Sequence, residues 1–127
     1  MLLRVRDTMD REYARPLDVQ ALASAAHLSR AHFIRSFRAA FGETPHRYLQ
    51  RRRIERAMAM LRHTDTPVSE ICLDVGFTSL GTFSRTFRDV VGASPRAYRS
   101  RAREAPQGDV PGCMARVWNR PSEHVGR

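Results

Sequence analysis

Two arginines in similar sequence contexts are the side chains best suited to recognising a ligand. Arg35 and Arg85 lie at an offset of 50 residues, and each is followed two positions later by a phenylalanine. A guanidinium group presents a planar fork of donors that can bond O6 and N7 of guanine together, or the oxygens of a phosphate. The two positions therefore have the chemistry to bind a guanine or a phosphate, and a solvated arginine is the alternative at each.

The charge of the chain favours a polyanionic partner. The 127 residues carry a formal net charge of +9, and all 22 basic residues are arginine. Such a balance is typical of proteins that bind DNA, RNA or an anionic membrane surface. No apolar run approaches the roughly 18 residues that span a bilayer, and the N-terminus carries charges too early for a signal peptide. We therefore expect a cytoplasmic protein with no membrane association.

The residue types that usually perform catalysis or bind metals form no recognisable pattern. Cys72 and Cys113 match no zinc or redox spacing, and Cys72 falls on an apolar helix face, which predicts a buried thiol. The five histidines show no metal-ligand spacing, and no nucleophile lies in a recognisable turn. We expect neither an enzyme nor a protein with a cofactor or a metal.

The elements that hold the two arginines are predicted to be helices. Apolar residues recur at helical spacing, while Ser, Thr, Asp, Pro and Gly mark the helix ends. The predicted helices cover residues 2–13, 18–26, 29–41, 45–62, 67–75, 79–91 and 95–103. The fold class is therefore all-α, with about seven helices. Prolines and glycines break residues 104–127, which are predicted to form a mostly irregular tail.

An internal repeat relates the two halves of the chain. At an offset of 50 the matched pairs are Phe33/Phe83, Arg35/Arg85, Phe37/Phe87, Arg38/Arg88, Gly42/Gly92, Pro45/Pro95 and Tyr48/Tyr98. Upstream the offset becomes 49, since Leu22 matches Ile71 and Ala23 matches Cys72. The second unit therefore has one extra residue near its Gly76-Phe77 turn.

Each unit is predicted to contain a short helix, a tight turn and a second helix with an apolar seam. This arrangement is a helix-turn-helix. The predicted domain covers residues 1–103, with helix-turn-helix units at 17–42 and 67–92 and a linker helix at 45–62. A linker of that length spans roughly 27 Å. Two such units can read two successive major-groove segments about 34 Å apart.

The sequence resembles the DNA-binding domain of the AraC/XylS family of bacterial transcription regulators over roughly residues 2–100. The second unit carries Gly76-Phe77, Phe83-Ser84-Arg85-x-Phe87-Arg88 and Gly92-x-Ser94-Pro95-x-x-Tyr98-Arg99. The first unit adds Leu28-Ser29, Phe33-x-Arg35-x-Phe37, Gly42-x-Thr44-Pro45-x-x-Tyr48-Leu49, and a linker with Arg53-Ile54, Ala57 and Leu61. Cys72 stands where alanine is usual, and Gly81 leaves a position often used for base contact without a side chain.

The resemblance implies seven helices with the third and sixth as readers, and it implies the residues that touch DNA. Base readout is expected from Ala31, Ile34, Arg35, Gly81, Ser84 and Arg85. Phosphate contacts are expected from Ser29, Arg30, His32, Arg38, Ser79, Thr82 and Arg88. Because Ala31 and Gly81 are small, we expect thymine methyl contacts and DNA shape to share the readout. The phenylalanines are predicted to form the core.

The linker helix carries four clustered arginines, Arg51, Arg52, Arg53 and Arg56. They either follow the DNA backbone or form a solvated face, and one of them is a candidate partner for Glu55 or Asp74. The sequence alone leaves these alternatives open.

The function expected from these features is sequence-specific DNA binding by a transcription regulator. The alternatives are a non-specific architectural DNA-binding protein and a DNA-binding fragment of a larger effector-responsive regulator. Because the sequence begins at the first helix, we expect a stand-alone regulator that binds double-stranded DNA as a monomer in the bacterial nucleoid. RNA polymerase is a further candidate partner.

Overall fold

A computed structural model describes residues 1–104 of the chain, and seven α-helices make up most of this part. The helices are α1 (Leu2–Arg11), α2 (Val19–Ala25), α3 (Arg30–Phe41), α4 (Pro45–His63), α5 (Val68–Asp74), α6 (Leu80–Val91) and α7 (Pro95–Glu104). The all-α fold class is confirmed. The predicted tail lies outside the described residues except for Glu104, which belongs to α7 rather than to the tail.

Side-chain caps start the helices where the sequence predicts them. Asp18, Ser29, Thr44 and Ser79 each accept a hydrogen bond from the backbone N–H three residues further on. Such a bond satisfies one of the amides that the first helical turn leaves without a partner. The first helix departs most from its predicted bounds, because it ends at Arg11 and not at residue 13, whereas the other helix ends lie within one residue of the prediction.

Two hydrophobic cores use successive parts of the linker helix α4. The first core contains residues of α1, α2 and α3, including Val5, Ala23 and Phe37, together with Tyr48 and Leu49 of α4. A second core forms around α5, α6 and α7 and uses the following part of α4: Ile54, Ala57, Met58 and Leu61. The prediction that the phenylalanines form the core is confirmed, since Phe33, Phe37, Phe41, Phe83 and Phe87 are all buried. Helix α4 therefore belongs to both halves.

The repeat predicted from the sequence is present in the aromatic packing. Ring centroids of Phe33 and Phe37 lie 5.9 Å apart, and those of Phe83 and Phe87 lie 5.8 Å apart. The next contact, from Phe37 to Tyr48 and from Phe87 to Tyr98, is an edge-on packing at 5.7 Å in both halves. The same seam thus holds α3 to α4 and α6 to α7.

The extra residue of the second unit is Thr78. The N–H of Leu28 donates to the carbonyl of Ala23 at 2.9 Å, and the N–H of Phe77 donates to Cys72 at 3.0 Å. These equivalent bonds are 49 positions apart, whereas the caps Ser29 and Ser79 are 50 positions apart. The insertion therefore lies between Phe77 and the cap, and both turns keep one residue with positive φ, His27 at 59° and Gly76 at 105°.

Cys72 is a packing residue, as the sequence predicts. Its side chain is buried, and its Sγ lies 3.9 Å from the carbonyl oxygen of Phe77. Burial raises the pKa of the Cys72 thiol, which keeps it protonated and unreactive at neutral pH.

The linker arginines bind other parts of the protein. Arg51 is only 4% exposed, and it forms ion pairs with Glu43 at 2.7 Å and Glu55 at 3.2 Å. Arg52 pairs with Glu55 and with Asp10, which also accepts a hydrogen bond from the hydroxyl of Tyr48 at 2.6 Å. The predicted pairing with Glu55 is confirmed. The prediction that these arginines follow the DNA backbone or form a solvated face is wrong for Arg51. Its side chain is buried because several helices pack against α4.

Candidate nucleic-acid interface

Helix α3 presents a polar face opposite its buried phenylalanines. Because Phe33, Phe37 and Phe41 recur at helical spacing and turn inward, the residues between them turn outward. The predicted contact residues on this helix and its cap are exposed, apart from the half-buried Ile34. They are Ser29, Arg30, Ala31, His32, Ile34, Arg35 and Arg38. These side chains are therefore open to solvent, Ile34 in part.

Helix α6 repeats this arrangement in the second half. Its predicted contact residues are exposed, apart from the half-buried Ser84. They are Ser79, Gly81, Thr82, Ser84, Arg85 and Arg88. The sequence reasoning missed Leu80, whose side chain is 49% exposed at the first position of the helix. Its type differs from that of its counterpart Arg30, so the repeat comparison gave no signal for it.

The cap residues of both reading helices have a hydroxyl group in the same position. Ser29 Oγ accepts from the amide of His32, and Ser79 Oγ accepts from the amide of Thr82, each at 3.2 Å. A hydroxyl that accepts one bond still has its own proton to donate. Together with the amides and the positive dipole end of the helix, it forms a group suited to an anion.

An open groove runs beside each reading helix, toward the N-terminus of the next helix. The first groove, of about 660 Å³, is lined by Arg30, Ile34, Pro45 and His46, and it extends to Arg53 and to Gly76 and Thr78 of the second turn. The equivalent groove of the second half, about 730 Å³, is lined by Leu80, Ser84, Pro95 and Arg96. His46 and Arg96 occupy matching positions at an offset of 50, and the same two helices also contribute Arg53 to the first groove and Arg99 to the second.

Two other features, a metal-binding group and a membrane-spanning helix, are both absent from the part of the chain that the structure describes. Within residues 1–104, no group of three or more His, Cys, Asp or Glu side chains could hold a metal ion. None of the helices among these residues has both the length and the apolar character needed to cross a membrane.

A protein-family model described as "Helix-turn-helix domain" matches residues 22–101, which is more than half of the chain. The fold is also similar to the crystal structure of a transcriptional regulator of the AraC-type DNA-binding class from Chromobacterium violaceum, with a TM-score of 0.74 and 28% identity. That similarity covers 83% of this chain and 94% of the other. The chain belongs to the AraC/XylS family of DNA-binding domains.

One AraC-family relative of known structure was crystallised with DNA. The DNA-binding domain of AdpA, described as a global transcriptional factor, was solved in complex with a target DNA. This chain matches it with a TM-score of 0.76 and 36% identity, covering 84% of this chain and 97% of that domain.

Relatives of different lengths share this AraC-type domain. SoxS of Salmonella typhimurium is 33% identical over 93 residues, which are 73% of this chain and 87% of that protein. The MmsAB operon regulatory protein of Pseudomonas aeruginosa is 36% identical over 92 residues, or 72% of this chain. The chain spans only 30% of the MmsAB regulator and 40% of the probable regulator LumQ of Photobacterium leiognathi.

Proposed function

We propose that this AraC-type chain is a sequence-specific DNA-binding regulator of transcription, in which α3 and α6 enter two successive major-groove segments. The observation that supports it most is the pair of exposed, arginine-bearing faces on two equivalent capped helices. The major groove is about 12 Å wide and admits one helix. Helix α4, with 19 residues, is about 28 Å long and holds the two readers apart.

The proposed base contacts divide between polar and apolar readout. Arg35 and Arg85 each bond O6 and N7 of a guanine, which is the commonest specific contact of arginine in the major groove. Ala31, Ile34 and Leu80 contact thymine methyl groups. Gly81 allows α6 to approach the bases closely, and Ser84 supplies a hydroxyl that can donate or accept. Deformability of the DNA contributes the remaining specificity.

The proposed phosphate contacts surround the readers. They come from the two caps and from side chains toward the rim of each reading helix: Ser29, Arg30, His32, Arg38, Ser79, Thr82 and Arg88. We add His46 and Arg96, because they border the grooves at the start of α4 and α7. Contacts of this kind fix the register of the protein on the duplex but carry no sequence information.

The experiment that tests this function is selection of binding sites from random DNA, followed by competition with unselected DNA. A specific regulator should enrich two short motifs at a fixed spacing, and the selected site should stay protected against excess random DNA. Equal affinity for all sequences would instead indicate a non-specific architectural protein. The symmetry of the enriched site is a further readout: a non-palindromic site supports the monomer that we propose, and an inverted repeat indicates a dimer.

Two substitutions at Ser79 should separate its role as a helix cap from its role as a phosphate ligand. Ser79→Ala removes the cap and should lower the free energy of unfolding by about 1 kcal/mol. Ser79→Asp keeps a good cap and complements the helix dipole, so its stability should match that of the unsubstituted protein.

The two variants should have the opposite order in DNA binding, because the carboxylate of Ser79→Asp faces a phosphate. We expect Ser79→Asp to weaken binding more than Ser79→Ala does, on the selected site and on random DNA alike. Thermal unfolding and fluorescence anisotropy measure the two effects. If Ser79→Asp binds DNA with unchanged affinity, Ser79 does not contact a phosphate.

The remaining parts of the proposal concern the whole protein. We propose that it binds double-stranded DNA without catalysing a reaction, that it acts in the bacterial nucleoid, and that RNA polymerase is a further partner. A DNA-binding fragment of a larger effector-responsive regulator is the second candidate, which the short span relative to the MmsAB regulator and LumQ favours.

A further inference from the structure

The side chain of Arg53 lies at the junction between the two helix-turn-helix units. Its Nε donates a hydrogen bond to the carbonyl oxygen of Tyr13 at 2.7 Å, and one terminal nitrogen donates to the carbonyl of Arg15, also at 2.7 Å. Both carbonyls belong to the segment between α1 and α2 in the first half. Arg53 therefore attaches that segment to the linker helix.

The same guanidinium group also contacts the turn of the second unit. Its central carbon lies 5.8 Å from the ring centroid of Phe77, which is part of the second core. The turn residue Gly76 is so near that a Cβ added there would lie 2.9 Å from Arg53 Nε and 2.9 Å from the carbonyl oxygen of Ala14. The segment from Tyr13 to Arg15, the Arg53 side chain and the Gly76-Phe77 turn thus form one packed junction.

This junction is a direct link between the two halves that lies outside the extensive helix–helix contacts. In residues 1–104 the extensive helix–helix contacts run within each half or to α4. Tyr13 is half-buried against both cores, and it is the residue whose carbonyl Arg53 binds. A straight helix fixes the distance between two units, but bending of that helix would still change the angle between them.

We propose that Arg53 is a positioning residue that fixes the orientation of the second helix-turn-helix unit relative to the first. For DNA this sets which separation of the two half-sites the protein accepts, a consequence that rests on the function proposed above. Arginine suits the role because its rigid fork binds two carbonyls at once while its planar face packs on an aromatic ring. A lysine at this place could reach one carbonyl but not both with the same geometry.

The first test uses the free protein and does not depend on DNA. Residual dipolar couplings of the two halves should fit a single alignment tensor in the unsubstituted protein, and two different tensors in Arg53→Gln. Arg56→Gln is the matched control, because Arg56 is an exposed arginine one turn along α4 that touches only the side chain of Tyr13 within this junction. A single tensor in a folded Arg53→Gln overturns the proposal. Arg53→Lys is used in the same way if Arg53→Gln does not fold.

The second test measures DNA spacing. Sites selected by Arg53→Gln should contain the same two motifs as the unsubstituted protein but with a broader distribution of separations. Its preference for the full site over a single half-site should fall by about tenfold, because the second unit is then less well oriented when the first is bound. Loss of affinity with unchanged spacing would make Arg53 merely structural and overturn the proposal. If the unsubstituted protein shows no paired motifs while its tensor is single, the proposed function fails and the positioning role stands.

Discussion

The double substitution Arg35→Ala/Arg85→Ala is expected to lose about 2–6 kcal/mol of binding free energy on the selected site. Each bidentate arginine–guanine contact contributes about 1–3 kcal/mol of discrimination, and two residues on separate reading helices should contribute additively. Affinity for random DNA should fall far less, because non-specific binding depends only on the charge that is removed. Titration of both DNAs at one salt concentration measures the change in specificity.

The pair Arg38→Ala/Arg88→Ala is the matched control for that experiment. It removes the same charge from equivalent exposed positions in the last turns of the same two helices. We expect it to weaken binding to the selected site and to random DNA by similar factors and to reduce the slope of affinity against salt. If both double variants behave in this way, Arg35 and Arg85 contact phosphates and the readout lies elsewhere.

Gly76→Ala is expected to destabilise the fold by about 3–4 kcal/mol, compared with about 1–2 kcal/mol for Gly92→Ala. Both glycines have positive φ, at 105° and 90°, so both variants place a side chain in a strained backbone conformation. Only at Gly76 would the new methyl group also meet the Ala14 backbone, at 2.9 Å from its oxygen and 3.0 Å from its Cα. At Gly92 nothing lies within 4 Å.

Urea denaturation of the two glycine variants gives the comparison directly. The difference between them reports the steric contact of the second turn with the Ala14 backbone and with the Arg53 side chain, since the backbone strain is common to both. Equal losses would mean that the segment around Ala14 moves away at little cost, and that the junction is looser than the static distances indicate.

Much of the fold follows from local sequence, because caps and turns depend on residues a few positions apart. Ser29 and Ser79 start the two reading helices, and Gly42 and Gly92 end them with positive φ, as their residue types predict. The apolar seam follows from the same periodicity, since phenylalanines one turn apart must share a face. The repeat between the halves gives each of these features a counterpart of the same residue type.

The predictions that fell short concern contacts between residues far apart in sequence. The burial of Arg51 depends on Glu43 and on the helices that cover α4, which no local pattern displays. For the same reason, the sequence indicates which side chains turn away from the core on α3 and α6, while their roles as base or phosphate ligands stay predictions.

The contribution of α4 to two cores has a consequence for how the protein unfolds. Tyr48 and Leu49 are buried in the first core and Ile54 in the second, only five residues further along one uninterrupted helix. Disrupting the helix at this point removes support from both cores at once, so neither half can lose its structure without affecting the other. We therefore expect the two repeats to unfold in one cooperative transition and not in two independent ones, although each resembles a complete unit.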